Sequence, residues 1–203
     1  MRMIFLLILV LSLIISQLMP DILAEENTVI ATISVGDAPR GIAFDSANNR
    51  MYVTNWDDDT VSVINTATNG VIETISVGDA PYGMAFDFAN NRLYIANAFD
   101  NTVSVINTAT NAVDATIAAG TNPVGIAFDS ANDRMYVSIS SDDVVKVINT
   151  ATNVVDATIS VGNSPREMAF DSANNRMYVS NLSDDTVSVI NTATNAVDAT
   201  ISV

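Results

Sequence analysis

Residues 36–77 read GDAPRGIAFDSANNRMYVTNWDDDTVSVINTATNGVIETISV, and the chain repeats this 42-residue stretch. Close copies follow at residues 78–119, 120–161 and 162–203. A proline, a phenylalanine and a tyrosine keep the same step through every copy, and the pentapeptide NTATN recurs unchanged. A period near 40 residues is typical of propellers, solenoids and other arrays of repeated units.

Each copy predicts four short strands. In the first copy, strand A covers Gly41–Phe44, strand B Arg50–Asn55, strand C Thr60–Asn65 and strand D Val71–Val77. Apolar and polar residues alternate in strand C, as in a half-buried strand. The short loops, rich in Asp, Asn, Ser and Gly, favour antiparallel hairpins between neighbours. Each copy is therefore predicted to fold as a four-stranded antiparallel meander.

A single four-stranded sheet cannot bury both of its faces, and stacking copies around an axis solves that problem. The sequence therefore predicts an all-β β-propeller, with strand A innermost and strand D outermost in each blade. A β-sandwich is the alternative, although sandwiches do not carry a 42-residue repeat of this fidelity. The residues expected between blades are Phe44, Phe86, Phe128, Phe170, Ile64, Ile106, Ile148 and Ile190.

The strand count does not decide how the ring closes. Residues 27–35 align with the end of a repeat and predict a lone outer strand, yet the last copy already has its own strand D at 197–203. Three arrangements follow: part of a larger propeller, an open arc or self-associating half-ring, or a closed four-bladed ring with one redundant strand. Because both end copies keep apolar faces, self-association through the terminal blades is expected unless the ring closes.

The first residues have the pattern of a targeting segment. Arg2 precedes an apolar run from Ile4 to Ile15, and cleavage after Ala24 is plausible. This predicts a signal peptide over residues 1–24, with a retained membrane anchor as the alternative. Residues 25–203 are then expected to be secreted or displayed on the cell surface.

Composition excludes several classes of chemistry. The chain has no His, no Cys and a formal net charge of −15. Disulfides, thiolate catalysis and a Ser-His-Asp triad are therefore ruled out. A surface this acidic repels phosphate backbones, so no nucleic-acid partner is expected.

One hexapeptide carries a family resemblance. RMYVTN at Arg50–Asn55, RLYIAN at Arg92–Asn97 and RMYVSN at Arg176–Asn181 resemble the YVTN repeats of archaeal and bacterial surface proteins. The resemblance extends over Asn27–Val203 and implies a β-propeller related in shape to WD-repeat proteins, in a secreted or surface-layer-type protein. The third copy departs from the pattern, because Ile139 stands where the others have Asn.

Positions that break the repeat are the candidates for function, since near-identical copies cannot supply the different residues that an active site needs. The breaks concentrate in the D–A and B–C loops, which lie at one end of a meander. The predicted partner-binding face consists of Arg40, Trp56, Tyr82, Phe99, Arg166 and Glu167. Exposed aromatic and arginine side chains suit protein recognition, and the alternative is drift on tolerant loops.

No catalytic, cofactor-binding or metal-binding residue is predicted. The acidic loops 57–59, 142–143 and 184–185 could bind calcium, but adjacent loop carboxylates are usually only solvated. Asp45 is expected to form an Asx-type turn. The predicted function is a non-enzymatic extracellular module, either an envelope or surface-layer component or an interaction scaffold for a protein or envelope polymer. The alternative is a propeller-type enzyme, lactonase-like or a cofactor-dependent oxidoreductase.

Overall fold

Strands joined by tight turns make up residues 28–203, the part of the chain that the computed structural model describes. This range contains sixteen strands and no helix. Accordingly, no helix within it is long and apolar enough to cross a membrane. The predicted signal peptide or anchor at residues 1–24 lies outside the described residues.

The strands fall into four sheets of four. The first sheet contains β1 (Pro39–Asp45), β2 (Arg50–Asn55), β3 (Thr60–Asn65) and β4 (Gly70–Ser76). The second contains β5 (Pro81–Asp87), β6 (Arg92–Asn97), β7 (Thr102–Asn107) and β8 (Ala112–Ala118). The third contains β9 (Pro123–Asp129), β10 (Arg134–Ile139), β11 (Val144–Asn149) and β12 (Val154–Ser160). The fourth contains β13 (Pro165–Asp171), β14 (Arg176–Asn181), β15 (Thr186–Asn191) and β16 (Ala196–Ser202).

Every sheet is an antiparallel meander whose strand order follows the chain. The predicted all-β architecture of four-stranded antiparallel blades is thus confirmed. The A–B turn forms as expected, because Asp45 Oδ1 accepts hydrogen bonds from the amides of Ala47 (2.9 Å) and Asn48 (3.2 Å). Asn49 closes this turn at φ 52° and Asn69 closes the C–D turn at φ 54°. Asparagine tolerates this left-handed conformation better than most residues, which explains why it recurs at these points.

The sheets stack in chain order through their first strands. Contacts join β1 to β5, β5 to β9, and β9 to β13, whereas the fourth strands lie outside. Strand β16 is exposed along its whole length. Strand A is therefore innermost, as predicted. Comparable packing of β13 back onto β1 does not occur in residues 28–203, so the four sheets form an open array.

Each junction between sheets joins two different faces. At the first junction, Tyr52 and Val63 from one sheet pack against Phe86, Leu93 and Ile106 from the next. The second and third junctions repeat this pattern one and two copies further along. One face of a sheet therefore carries the tyrosine and valines, and its other face carries the phenylalanine and isoleucine.

The first sheet departs from the predicted core because no other sheet of the described residues packs on its outer face. Phe44 is 46% exposed, whereas Phe86 at the same repeat position is only 6% exposed. Phe128 and Phe170 are partly buried and pack at the second and third junctions. The placement of Phe44 between blades was wrong. The predicted isoleucines are all buried, with Ile64 at 5% exposure and the other three at 0%.

The lone outer strand predicted over residues 27–35 is not formed in its described part, residues 28–35. In the four sheets, each outer strand pairs with the C strand that precedes it. The described residues before Gly36 contain no such strand, so this segment has no hydrogen-bonding partner of the required kind.

The asparagine that ends strand B ties strands B and C together. Asn97 Nδ2 donates to Thr102 Oγ1 (3.0 Å) and to Ser104 Oγ (2.8 Å), and the first and fourth sheets make the same bonds. In the third sheet Ile139, Val144 and Lys146 replace all three partners. The departure from the repeat is thus a coupled replacement, in which a buried polar cluster becomes apolar and Lys146 donates outward to the Thr158 hydroxyl (2.8 Å).

We expect Asn97→Ile alone to destabilise the fold by about 1–3 kcal/mol, because it removes the donor from two hydroxyls that stay in place. The combined variant Asn97→Ile, Thr102→Val, Ser104→Lys reproduces the third sheet and should recover most of that loss. Urea denaturation of both variants measures the difference. A triple variant no more stable than the single one would contradict the coupling.

Candidate functional site

The B–C and D–A loops meet at one end of each sheet. The Trp56 amide donates to the Ala38 carbonyl (3.0 Å), and the Ala98 amide donates to the Ala80 carbonyl (3.0 Å) in the next sheet. The loops in which the repeat varies most are therefore held side by side.

Carboxylates of the acidic loops brace these turns. Asp58 Oδ2 accepts the Asp37 amide within the first sheet (2.7 Å), and Asp59 Oδ1 accepts the Ala80 amide of the second sheet (2.9 Å). Both bonds span 21 residues and recur along the array. In residues 28–203, groups of three or more acidic side chains placed to hold a metal ion are absent. The observed role of the acidic loops is to position backbone amides.

Three aromatic side chains of the predicted face form one cluster across the first two sheets. The Trp56 ring lies 5.2 Å from the Phe99 ring at 73° and 5.7 Å from the Tyr82 ring at 83°, measured between centroids. These edge-to-face contacts are the favoured geometry for aromatic pairs. Phe99 is 63% exposed, and Trp56 and Tyr82 are half-buried.

Arg40 covers this aromatic cluster. Its guanidinium carbon lies 5.3 Å from the centre of the Trp56 ring and 5.7 Å from that of Tyr82, within the range of cation–π attraction. The Arg40 side chain is itself exposed. Four of the six predicted face residues are therefore brought together: Arg40, Trp56, Tyr82 and Phe99.

Acidic residues surround the cluster. Asp57, Asp58, Asp79 and Asp100 are all exposed in the adjoining loops. Desolvation, together with the negative charges of Asp59 and Asp100, raises the pKa of Asp79 above its ordinary value. The cluster is thus an aromatic and cationic patch inside an electronegative rim.

The two remaining predicted residues lie elsewhere. The Arg166 carbonyl accepts a bond from Ser138 Oγ (2.7 Å) at the third junction, and Arg166 Nε is buried without a hydrogen-bond partner within residues 28–203. Glu167 is exposed and lines a cleft of about 450 Å³ at the inner edge of the array, into which Arg40 also faces.

Sequence reasoning missed the apolar wall of this cleft. Ile42, Met84 and Ile126 line it, each in the inner strand of its sheet. Each of them follows the repeated glycine by one residue. The alternation of side chains along strand A could therefore have placed all three on the same face of their sheets.

The same glycines explain why, among the four copies, only the fourth has a side chain at this repeat position, which is Glu167. A Cβ added to Gly41, Gly83 or Gly125 would lie 2.5, 2.4 or 2.0 Å from a backbone carbonyl of the next inner strand. Glycine at these positions therefore permits the close approach of successive sheets. Glu167 occupies the equivalent position in the fourth sheet, which no further sheet of the described array follows.

Comparison with known proteins supports the fold. The chain is similar in structure to Kuenenia stuttgartiensis hydrazine synthase, with a TM-score of 0.77 at 19% sequence identity. The match covers 88% of this chain and 52% of that one, so the present chain spans about half the length of that relative. At this identity the likeness concerns the fold alone. No curated protein sequence matches the chain.

A family model gives the closer assignment. The model for YNCE-like β-propellers matches residues 27–130, which is 104 of the 203 residues and so just over half of the chain. The matched range contains the first two sheets and the aromatic cluster that joins them. Since the four blade-like sheets agree with this match, the chain belongs to the YNCE-like β-propeller family.

Proposed function

We propose that the protein is a non-enzymatic, secreted or cell-surface module that binds a protein partner of the cell envelope through the aromatic cluster. The observation that carries this proposal is the exposed stack of Phe99, Trp56 and Tyr82 beneath Arg40. Aromatic and arginine side chains dominate the binding energy of protein interfaces.

The position of the cluster adds support, because its members differ between copies of the repeat. The residues equivalent to Trp56 are Ala98, Ser140 and Leu182, and the four sheets fold alike with each of them. Propagation of the repeat therefore does not require an aromatic residue there. A binding role is a physical reason to keep four large side chains in mutual contact on a solvent-exposed loop surface.

The surroundings of the cluster indicate the chemistry of the partner. The rings offer an apolar centre, and the exposed Asp57, Asp79 and Asp100 place negative charge around it. A complementary partner has an apolar or aromatic centre with lysine or arginine at its rim. Charges at the rim of an interface act mainly on the association rate. Because salt screens these charges, binding should weaken as ionic strength rises.

The test is binding of the purified chain to cell envelopes of the source organism, measured by co-sedimentation over a range of protein concentrations. Trp56→Ala combined with Phe99→Ala removes two stacked rings, and we expect at least a tenfold loss of affinity, equivalent to about 1.4 kcal/mol. Both side chains lie on loops outside the three junction cores, so the melting temperature should change little.

Leu182→Ala provides the matched control. Leu182 occupies the loop position of Trp56 in the fourth sheet and is 62% exposed, but it lies outside the cluster. Its removal should leave envelope binding unchanged. Equal losses of affinity in the Leu182 and Trp56–Phe99 variants would show that exposed apolar loop residues bind envelopes nonspecifically. Full binding by the double variant would refute the proposed site.

A further inference from the structure

The two ends of the array expose the two halves of the same junction. Ile75, Ile117 and Ile159 are 5–7% exposed at the three internal junctions, whereas Ile201 at the same repeat position is 46% exposed. At the other end, Phe44 is 46% exposed although Phe86 is 6% exposed. The fourth sheet thus exposes part of the tyrosine-and-valine face through Ile201, and the first sheet exposes part of the phenylalanine-and-isoleucine face through Phe44, while Ile64 and Val189 on these faces remain 5% and 4% exposed.

From this complementarity we infer that a second copy of the chain docks head to tail, its first sheet covering the fourth sheet of its neighbour. At every internal junction these two faces pack against each other in this order. The contact is heterologous, with different surfaces on the two copies. The inference does not depend on the proposed partner-binding role of the aromatic cluster.

Polar groups at the two ends match in the same register. At internal junctions a tyrosine hydroxyl meets an asparagine Oδ1 of the next sheet, at 3.1 Å for Tyr52–Asn111 and 2.7 Å for Tyr136–Asn195. One repeat further on, Tyr178 would meet the asparagine equivalent to Asn111 in the second copy, which is Asn69. Asn69 is exposed at the free end, while Asn111 is buried.

The loop braces match as well. Asp59 Oδ1 accepts the Ala80 amide of the next sheet, and Asp143 Oδ1 accepts the Ser164 amide (both 2.9 Å). The next acceptor in this series is Asp185, and the equivalent amide in a second copy is that of Ala38. Hydrophobic burial, a tyrosine bond and a loop brace therefore all continue in one register across the proposed contact.

Glu167 sets the strength of this contact. By the repeat, its Cβ would face the carbonyl of Arg40 in the second copy, where the internal junctions require glycine. The inner strands must separate there, and the exposed Arg40 guanidinium can lie against the Glu167 carboxylate in the space created. Because an exposed ion pair contributes little, it does not offset the wider gap, and the docking is weaker than an internal junction.

A second copy fits these faces better than closure within one chain. The main packing of each sheet is against its neighbours in sequence, and in the described residues β13 makes no comparable packing onto β1, although Arg40 and Glu167 line one cleft. Closure would require the three internal junctions to turn more sharply, whereas a second copy uses the junction geometry already present.

Sedimentation velocity of the full 203-residue chain over a concentration series tests the inference. The chain should associate reversibly. Ile42→Asp at the first sheet and Ile201→Asp at the fourth should each weaken association at least about tenfold by placing a charge in the contact. Ile42 is 65% exposed, so its substitution should spare the fold, and Val154→Asp, at 55% exposure on the outer strand of the third sheet, is the matched control that should associate normally.

Mixing the two variants tests the head-to-tail order. Each variant alone lacks one of the two faces, but the intact fourth sheet of Ile42→Asp can bind the intact first sheet of Ile201→Asp. We expect a one-to-one complex in the mixture and monomers in each variant alone. If Ile201→Asp associates as well as the unmodified chain, the contact joins two first sheets and the inference is wrong.

Glu167→Gly adds an independent readout. This variant restores the residue found at the internal junctions, and we expect it to tighten association at least about tenfold. Unchanged or weaker association in Glu167→Gly would show that the contact does not use the repeat geometry. A chain that stays monomeric at all concentrations, with a scattering envelope of either an open or a closed array, would likewise overturn the inference.

Discussion

Replacing Phe86 by alanine is expected to lower the free energy of unfolding by about 3–5 kcal/mol, the usual cost of deleting a buried aromatic side chain. Phe86 is 6% exposed at the first junction, and its ring lies 6.3 Å from that of Tyr52 between centroids. The substitution leaves a cavity among the side chains that pack between the first two sheets. Urea denaturation followed by circular dichroism measures the change.

The control for this prediction is Phe44→Ala. Phe44 occupies the same repeat position, but it is 46% exposed because no sheet of residues 28–203 packs against that face of the first sheet. We expect it to cost roughly 1 kcal/mol in dilute protein, since less apolar surface leaves water on folding. Similar losses in the two variants would mean that the first sheet is covered by something other than the described array.

Gly125→Ala should cost about 3 kcal/mol, at the upper end of the range for overpacking. The added Cβ would lie 2.0 Å from the Arg166 carbonyl and 3.1 Å from Ser138 Oγ, so both the backbone contact and a buried hydroxyl must shift. The third junction should then open, and its inner strands β9 and β13 should lose protection in hydrogen exchange.

Gly70→Ala provides the comparison. Nothing lies closer than 3.4 Å to a Cβ added at Gly70, and the second and fourth sheets carry Ala112 and Ala196 at that position. The change should be neutral or slightly stabilising, because alanine restricts the unfolded chain. If Gly125→Ala were as harmless as Gly70→Ala, the close approach of the inner strands would not exist.

The repeat made most of the fold predictable. Strands B and C were placed to the residue, because loops rich in Asp, Asn and Ser bracket Arg50–Asn55 and Thr60–Asn65 and strand C alternates apolar with polar residues. Strand A begins at Pro39 rather than at the predicted Gly41, since the pairing continues across a bulge between Pro39 and Ile42. Proline fits at the first residue of a strand, where its missing amide is not needed.

Position along the array was harder to predict than position within a repeat. Phe44 and Phe86 have the same local sequence context, so only the presence or absence of a neighbouring sheet separates their environments. Similarly, the sequence shows Glu167 in place of the repeated glycine. Only the structure shows that this glycine lets the backbones of two successive sheets approach closely. The replacements at Ile139, Val144 and Lys146 were detectable as three coincident breaks, and only the structure shows that their counterparts share hydrogen bonds.

The candidate site was predictable as a surface but not as a cluster. In a meander, alternate loops lie at the same end of the sheet. This predicts that Arg40, Trp56, Tyr82 and Phe99 share one end of their sheets, and the structure places them there. The ring contacts depend on the offset between two sheets, which no spacing within one repeat encodes. Arg166 shares the loop end but lies two sheets away from the cluster.

The stacking of each sheet chiefly on its sequence neighbours has a consequence for how the molecule loses its structure. The second and third sheets are held from two sides, whereas the first and fourth are held from one, so the array behaves as a short chain of coupled units. Melting should begin at the outer sheets and move inward, which makes the middle pair the most durable part of the protein. Any contact that covers an end, on either side, would lengthen the lifetime of the whole array and not only of the sheet it touches.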